Sequence, residues 1–337
     1  MTSYERLLTA ATGGVPDRTP VAPEVFGVAG RLNGHTIYEY IHNSRVLSES
    51  QLRLRAAAGY DIVFAFSDLS VEAEALGCEL DFHDDSYPAI KNPILKDLRD
   101  IKTIQLPVPG VAGRMPVVLD AARHLRESLG NDCLVAACVM GPVSLASQLM
   151  GLENFMYLLA DNPKGVEKVL DLATGVASVY GKALLKAGAH CIVVFDPAAS
   201  PVVFPPPFFL KYEVPRLKKL FKTFKAAGSL ISWISIAGAI HRIMPFFIKT
   251  GINIATIDYV VDVSDAYNLV KDLIALNGNI KPYSFIVDPP DLIKDSVKAN
   301  LLATSGRGNY IVGSGCEVPV ESAYENICAL VEAVRER

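Results

Sequence analysis

Asn309-Tyr310-Ile311-Val312-Gly313-Ser314-Gly315-Cys316-Glu317-Val318-Pro319 is the stretch from which the rest of the chain can be read. Tyr310 to Val312 has the β-branched and aromatic composition of a buried strand. Gly313-Ser314-Gly315 interrupts that strand and lets the backbone approach something closely. Cys316 and Glu317 follow at the strand's carboxyl end, before Pro319. A helix then shows Ala323, Ile327, Leu330, Val331 and Val334 at helical spacing. In a parallel α/β protein the carboxyl ends of strands are where ligands bind. A thiol in that place is a candidate metal ligand or nucleophile, or else a small apolar residue in a packed corner.

Working outward, the same strand-then-helix unit recurs. Residues 21–25, 61–66, 133–140, 191–195, 229–235, 252–257 and 281–287 read as apolar strands, and 310–312 supplies the eighth. Helical patterns lie at 3–12, 37–41, 47–58, 117–129, 143–150, 162–187, 266–276 and 291–303, and another runs from Gly238 through Phe247. Gly27 and Gly30 bracket what reads as a loop ending at Arg31. Eight strands, each followed by a helix, predict an α/β fold: a single (β/α)8 TIM-type barrel spanning 1–337. It carries an N-terminal helical extension and a small insertion around 72–113, with two short extended pieces flanking Asp84-Asp85-Ser86. No GxGxxG follows the first strand and no Walker loop is present, which weighs against a dinucleotide or P-loop fold.

Composition narrows the function. The chain has 337 residues, half of them hydrophobic and a fifth charged, with a net charge of -4. That charge offers no nucleic-acid surface. Basic residues do cluster between Lys211 and Lys225, but Leu217, Leu220, Phe221 and Phe224 interleave with them as in the wet face of an amphipathic helix. The six cysteines are scattered without a CxxC pair, which predicts reduced thiols and a cytoplasmic location. The first residues lack an apolar signal core, and no apolar run is long enough to span a membrane.

The polar residues at the predicted strand ends are Glu24, Asp68, Asp196, Ser235, Asp258 and Cys316. In a barrel they converge on one mouth although they are far apart in sequence. Each has a structural alternative. Asp196, Asp258 and Ser235 suit the caps of the helices that follow, and Glu24, a carboxylate in an apolar strand, suits an ion pair with Arg31. Val202, Val203, Phe204, Phe208 and Phe209 either wall an apolar pocket or belong to the core.

Several blocks carry a family resemblance. Phe66-Ser67-Asp68-Leu69 with Ala75-Leu76-Gly77, Ala29-Gly30-Arg31, and Gly141-Pro142 through Leu145 are three of them. Gly151, Asp161-Asn162-Pro163, Gly188-Ala189, Asp196-Pro197, and the opening stretch with Glu325-Asn326-Ile327 are the others. Together they resemble the uroporphyrinogen decarboxylase superfamily over nearly the whole chain, and the resemblance implies a (β/α)8 barrel. In the decarboxylase branch two loop arginines and an aspartate bind the porphyrinogen. Asp68 matches that aspartate and Arg31 the second arginine, but Gly27 stands where the first arginine belongs and Cys316 where a histidine is usual. One arginine is poor provision for a substrate with eight carboxylates.

The cobalamin-dependent methyltransferases are the other branch, and Gly315-Cys316-Glu317-Val318-Pro319 resembles their ending. That resemblance implies methyl transfer to or from the cobalamin (corrinoid) of a partner corrinoid protein, with a small-molecule methyl donor or acceptor. It also implies zinc held by a His-x-Cys pair and the late cysteine. Here the pair is replaced by Ser235 and Ala237, which leaves Cys316, with His241 as a weak further ligand. The expectation is a corrinoid-dependent methyltransferase without zinc bound in that manner. Its substrate would be a methyl ether or similar molecule, with Glu24, Asp68 and Asp196 as catalytic carboxyl groups. Arg31, Ser235, Asp258, Phe204 and Phe208 would bind substrate. The competing expectations are a uroporphyrinogen decarboxylase and a non-enzymatic barrel that binds a ligand or a corrinoid protein.

Overall fold

A computed structural model of the chain describes every residue except Lys271, Gly306 and Arg337. Its strands are β1 (Ile62–Ala65), β2 (Glu79–Asp81), β3 (Ala89–Asn92), β4 (Leu134–Met140), β5 (Cys191–Phe195), β6 (Ser232–Ser235), β7 (Ile254–Ile257), β8 (Ala275–Ile280) and β9 (Tyr310–Ser314). Seven of them form one parallel sheet in the order β1-β4-β5-β6-β7-β8-β9. Helices cover its outer face, so nearly every residue in these strands is buried.

The sheet curls until its two edges are bridged by the N-terminal segment. Ala22 N donates to Val312 O at 2.7 Å, Val312 N to Pro20 O at 2.9 Å, and Asp61 N to Val21 O at 2.7 Å. Residues 20–22 thus fill the slot between β9 and β1, and the fold is a TIM-type barrel. The buried Asp61 carboxylate pins this seam. It accepts from Val21 N at 2.9 Å and is paired with Arg6 and Arg18. The extended stretch is shorter than the 21–25 predicted, because Phe26 already caps a helix over Gly27–Leu32.

That helix replaces the loop expected between Gly27 and Gly30. Both glycines are sites of close approach: a Cβ on Gly30 would come within 2.9 Å of the Tyr40 ring, and one on Gly27 within 2.5 Å of the Tyr87 hydroxyl. The seventh predicted strand also moves. Residues 281–287 contain the short helix Ser284–Val287, preceded by Pro282, and only Phe285 of that helix is buried. The strand is instead β8, and the predicted helix over 266–276 ends at Val270. With a glycine and two asparagines, β8 has poor intrinsic strand propensity. Pairing on both sides with β7 and β9 overrides it.

β2 and β3 form an antiparallel hairpin within the region read as an insertion. The basic helix is Val214–Ala226, and it buries Leu217, Leu220, Phe221 and Phe224. Among the described residues no helix is long and apolar enough to cross a membrane.

Candidate active site

Glu24 leaves the closing segment just after the seam, and its backbone N–H donates to Ser314 Oγ on β9 at 3.0 Å. Its side chain is 0% exposed. Oε1 accepts from Ser235 Oγ at 2.8 Å and from Thr256 Oγ1 at 3.0 Å, whereas Oε2 has no partner among the described residues. Burial pushes this carboxyl up to about 7; the two hydroxyls work against that rise and Asp258 adds to it. Cys316 follows Gly315, where a Cβ would come within 2.6 Å of Tyr259 N, so only glycine lets the chain pass the loop after β7. Burial, reinforced by Glu24, pushes the Cys316 thiol up to about 12. It is therefore a neutral thiol at physiological pH. Asp258 closes this side, accepting from Gly238 N at 2.7 Å and Val260 N at 3.2 Å.

Across the mouth, past β1, β4 and β5, every carboxyl near the strand ends has a structural bond or a carboxyl neighbour. Asp68 accepts from Ser70 N at 2.9 Å and is ion-paired with the buried Arg114, which also reaches Glu74 at 2.7 Å. Glu72 accepts from Met140 N at 2.7 Å, and burial pushes it up to about 7. Asp196 accepts from Val143 N at 3.1 Å, Ser144 N at 2.7 Å and Ser144 Oγ at 2.6 Å. It thereby caps the helix Pro142–Met150, and a Cβ on Gly141 would overlap its carboxyl group. Beside it Glu213 is fully buried, and burial together with the Asp196 charge pushes its carboxyl well up.

The β2–β3 hairpin reaches over the rim. Tyr87 Oη accepts from Gly27 N at 2.7 Å and donates to Glu317 Oε1 at 2.5 Å. Burial pushes Glu317 up to about 8, against the pull of the Tyr87 bond. Beneath the hairpin lies a cavity of about 290 Å³ lined by Phe66, Asp68, Tyr87, Ile90, Gln148 and Glu317 among others. A second of about 390 Å³ shares Leu69, Ile90 and Gln148 with it.

The structure brings Glu24, Ser235, Asp258 and Cys316 to one side of the mouth, and places Asp68 and Asp196 on the other. Four candidates lie elsewhere. Arg31 is exposed and pairs at 2.5 Å with exposed Asp85, not with Glu24. His241 is exposed on a short 3₁₀ turn. Phe204 and Phe208 are buried, stack on each other at 4.3 Å between ring centres, and line neither cavity. Arg114, Thr256, Tyr87 and Glu213 were not anticipated. Arg114 ends a turn-rich stretch, and nothing local marks it as the partner of Asp68. Glu317 follows Cys316 in the 309–319 stretch but was not among the candidates, and neither was its tyrosine partner.

Among the described residues no group of three or more His, Cys, Asp or Glu side chains is placed to hold a metal ion. Ser235 and Asp258 are engaged in hydrogen bonds, and residue 237 is alanine. This donor set does not fit zinc.

The uroporphyrinogen decarboxylase family profile matches residues 2–337. A methylcobamide:CoM methyltransferase of Methanosarcina barkeri is 28% identical over 97% of this chain and 96% of its own length. A uroporphyrinogen decarboxylase of Thermodesulfovibrio yellowstonii is 24% identical over 86% of this chain and 84% of its own. Among solved structures, one described as a methyltransferase from Methanosarcina mazei superposes with a TM-score of 0.91 at 27% identity, covering 100% of this chain and 99% of that one.

Proposed function

The chain belongs to the uroporphyrinogen decarboxylase family, and from that footing we propose that it is a methyltransferase of the corrinoid-dependent kind. It moves a methyl group between a small methylated substrate, a methyl ether or similar, and the corrinoid of a partner protein. The observation that carries the reading is Glu24, a buried carboxyl with a free oxygen, beside a neutral thiol and at the carboxyl ends of the strands. A carboxyl poised near 7 is suited to general acid–base work at physiological pH. When the methyl group leaves an ether oxygen, the C–O electron pair stays on that oxygen. Glu24 supplies the proton that neutralises it. The corrinoid, a co-substrate on another protein, takes the methyl group. Asp68 and Glu317 border the cavity beneath the hairpin, whose lining residues do not include Glu24, and Cys316 contributes as a compact neutral group rather than as a nucleophile.

The decarboxylase reading is disfavoured by charge. A Cβ on Gly27 would meet the Tyr87 hydroxyl, so Tyr87 occupies the space an arginine side chain needs. Arg114 is committed to Asp68 and Glu74, and Arg31 to Asp85. A polyanion finds no uncommitted guanidinium among these.

The test pairs the purified protein with a corrinoid protein in its reduced state and a panel of methyl ethers, methylated amines and methylated thiols. Methyl transfer is followed by the corrinoid absorbance spectrum, and uroporphyrinogen turnover is assayed in parallel. Methyl transfer without porphyrinogen turnover is expected. Porphyrinogen turnover without methyl transfer overturns the proposal, and binding without either reaction returns the non-enzymatic barrel.

A further inference from the structure

The two oxygens of the Glu24 carboxyl have unlike surroundings. Oε1 is bonded to Ser235 Oγ at 2.8 Å and Thr256 Oγ1 at 3.0 Å, and Oε2 is buried with no partner among the described residues. Thr256 Oγ1 in turn accepts from Trp233 Nε1 at 2.9 Å, and Asn277 Nδ2 approaches it at 3.4 Å. An indole N–H and an amide NH₂ can only donate. They occupy the lone pairs of the threonine hydroxyl, which leaves its single hydrogen for Glu24. Ser235 stands two residues after Trp233 on β6, hence on the same face of the strand, and supplies a second hydroxyl to the same oxygen. An oxygen accepting two hydrogen bonds has no lone pair left for a proton of its own.

We propose that Trp233 and Thr256 are positioning residues that hold the Glu24 proton on Oε2, the oxygen without a protein partner among the described residues. This rests on Glu24 acting as the acid in methyl transfer. The indole fixes the threonine hydroxyl, the hydroxyl fixes the acceptor oxygen, and the proton is confined to the other side of the carboxyl. The ionisable groups whose charges Glu24 meets are Asp258 after β7, Cys316 and Glu317 after β9, and Cys138 on β4. All four are retained in the variants below.

Infrared difference spectra of wild type against Glu24→Gln isolate the carboxyl C=O stretch of Glu24 and its titration, without any need for turnover. Thr256→Val removes one donor from the carbonyl oxygen. The stretch is expected to rise, and the titration midpoint to move upward by about one pH unit. Thr256→Ser is expected to restore both. Trp233→Phe keeps the hydroxyl but frees one of its lone pairs, and a smaller shift in the same direction is expected. It also serves as the second variant if Thr256→Val does not fold. In methyl transfer, Thr256→Val is expected to lower kcat with little change in KM and to displace the pH profile as the infrared midpoint moves. A stretch and midpoint unchanged in folded Thr256→Val, or in Trp233→Phe if that is the variant that folds, overturn the proposal. Infrared shifts in a protein that transfers no methyl group to a corrinoid would instead leave the proton placement standing and remove the catalytic reading of Glu24.

Discussion

The two halves of the barrel mouth hold similar numbers of carboxyl groups and use them differently. Past β1, β4 and β5, Asp68 is neutralised by Arg114 and Asp196 holds the first turn of a helix. Past β6, β7 and β9, Glu24 takes hydrogen bonds on one oxygen only, and its neighbour Cys316 is a neutral thiol. An acid with all its oxygens committed stabilises the fold; an acid with a free buried oxygen is costly to fold and available for chemistry. Position at a strand's carboxyl end is therefore not enough to identify a catalytic acid. The hydrogen-bond ledger separates Glu24 from Asp68 and Asp196, although Glu213, beside Asp196, also keeps both of its oxygens buried without a partner among the described residues.

The sharpest way to break this contrast is Glu24→Gln. The amide preserves shape and the bonds to Ser235 and Thr256 but carries no transferable proton. Methyl transfer is expected to fall by about a hundredfold or more, with an unchanged circular dichroism spectrum. Retention of wild-type turnover would move the chemistry to the other half of the mouth.

A second expectation concerns pH. The folded-state values of Glu24 and Glu72 are raised to about 7 and that of Glu317 to about 8, from an ordinary value of 4.5. The folded protein then binds more protons than the unfolded chain between about 4.5 and 8. The stability these groups contribute is fully present below 4.5 and is lost as pH rises through 7 and 8. Melting temperatures measured across this window are expected to fall with rising pH, less steeply in Glu24→Gln. A slope that Glu24→Gln leaves untouched would show that Glu24 is ionised throughout.

On the other half, Asp196→Ala is expected to lower stability by about 2 kcal/mol, because two helix N–H groups and the Ser144 hydroxyl lose their acceptor. Denaturant unfolding measures it. A stable Asp196→Ala that loses turnover would place catalysis on this side.

Tyr87→Phe probes the rim between the halves. Loss of its bonds to Gly27 and Glu317 is expected to raise KM about fivefold with kcat nearly unchanged. The smallest effect belongs to Arg31→Ala. An exposed pair with Asp85 is worth less than about 0.5 kcal/mol, and steady-state kinetics are expected to match wild type. A large change in KM there would return Arg31 to the substrate site.

The barrel was legible because its cues are local. Each apolar run ends in a glycine, proline or acid, and a periodic helix usually follows. The exceptions were equally physical. β8 carries Asn277, Gly278 and Asn279, so composition hides it, and its strand character comes from neighbours on both sides. Residues 281–287 look strand-like in isolation, yet they have no sheet edge to join because β8 already lies between β7 and β9.

By itself the sequence determined the (β/α)8 architecture, the end of the barrel at which acids and a thiol gather, and the presence of serine at 235 and alanine at 237, neither of them an imidazole or a thiol. Strand periodicity and residue identity are one-dimensional properties, and they suffice for that. Only the tertiary structure decided that Glu24 keeps an unbonded oxygen while Asp68 and Asp196 do not. The partners that distinguish Glu24 from Asp68 and Asp196 are Thr256, Ser235, Arg114 and Ser144, from 46 to 232 residues away or, for Ser144, 52 from Asp196. Closing the sheet into a barrel brings such distant residues within bonding distance, and no local pattern records which of them will meet.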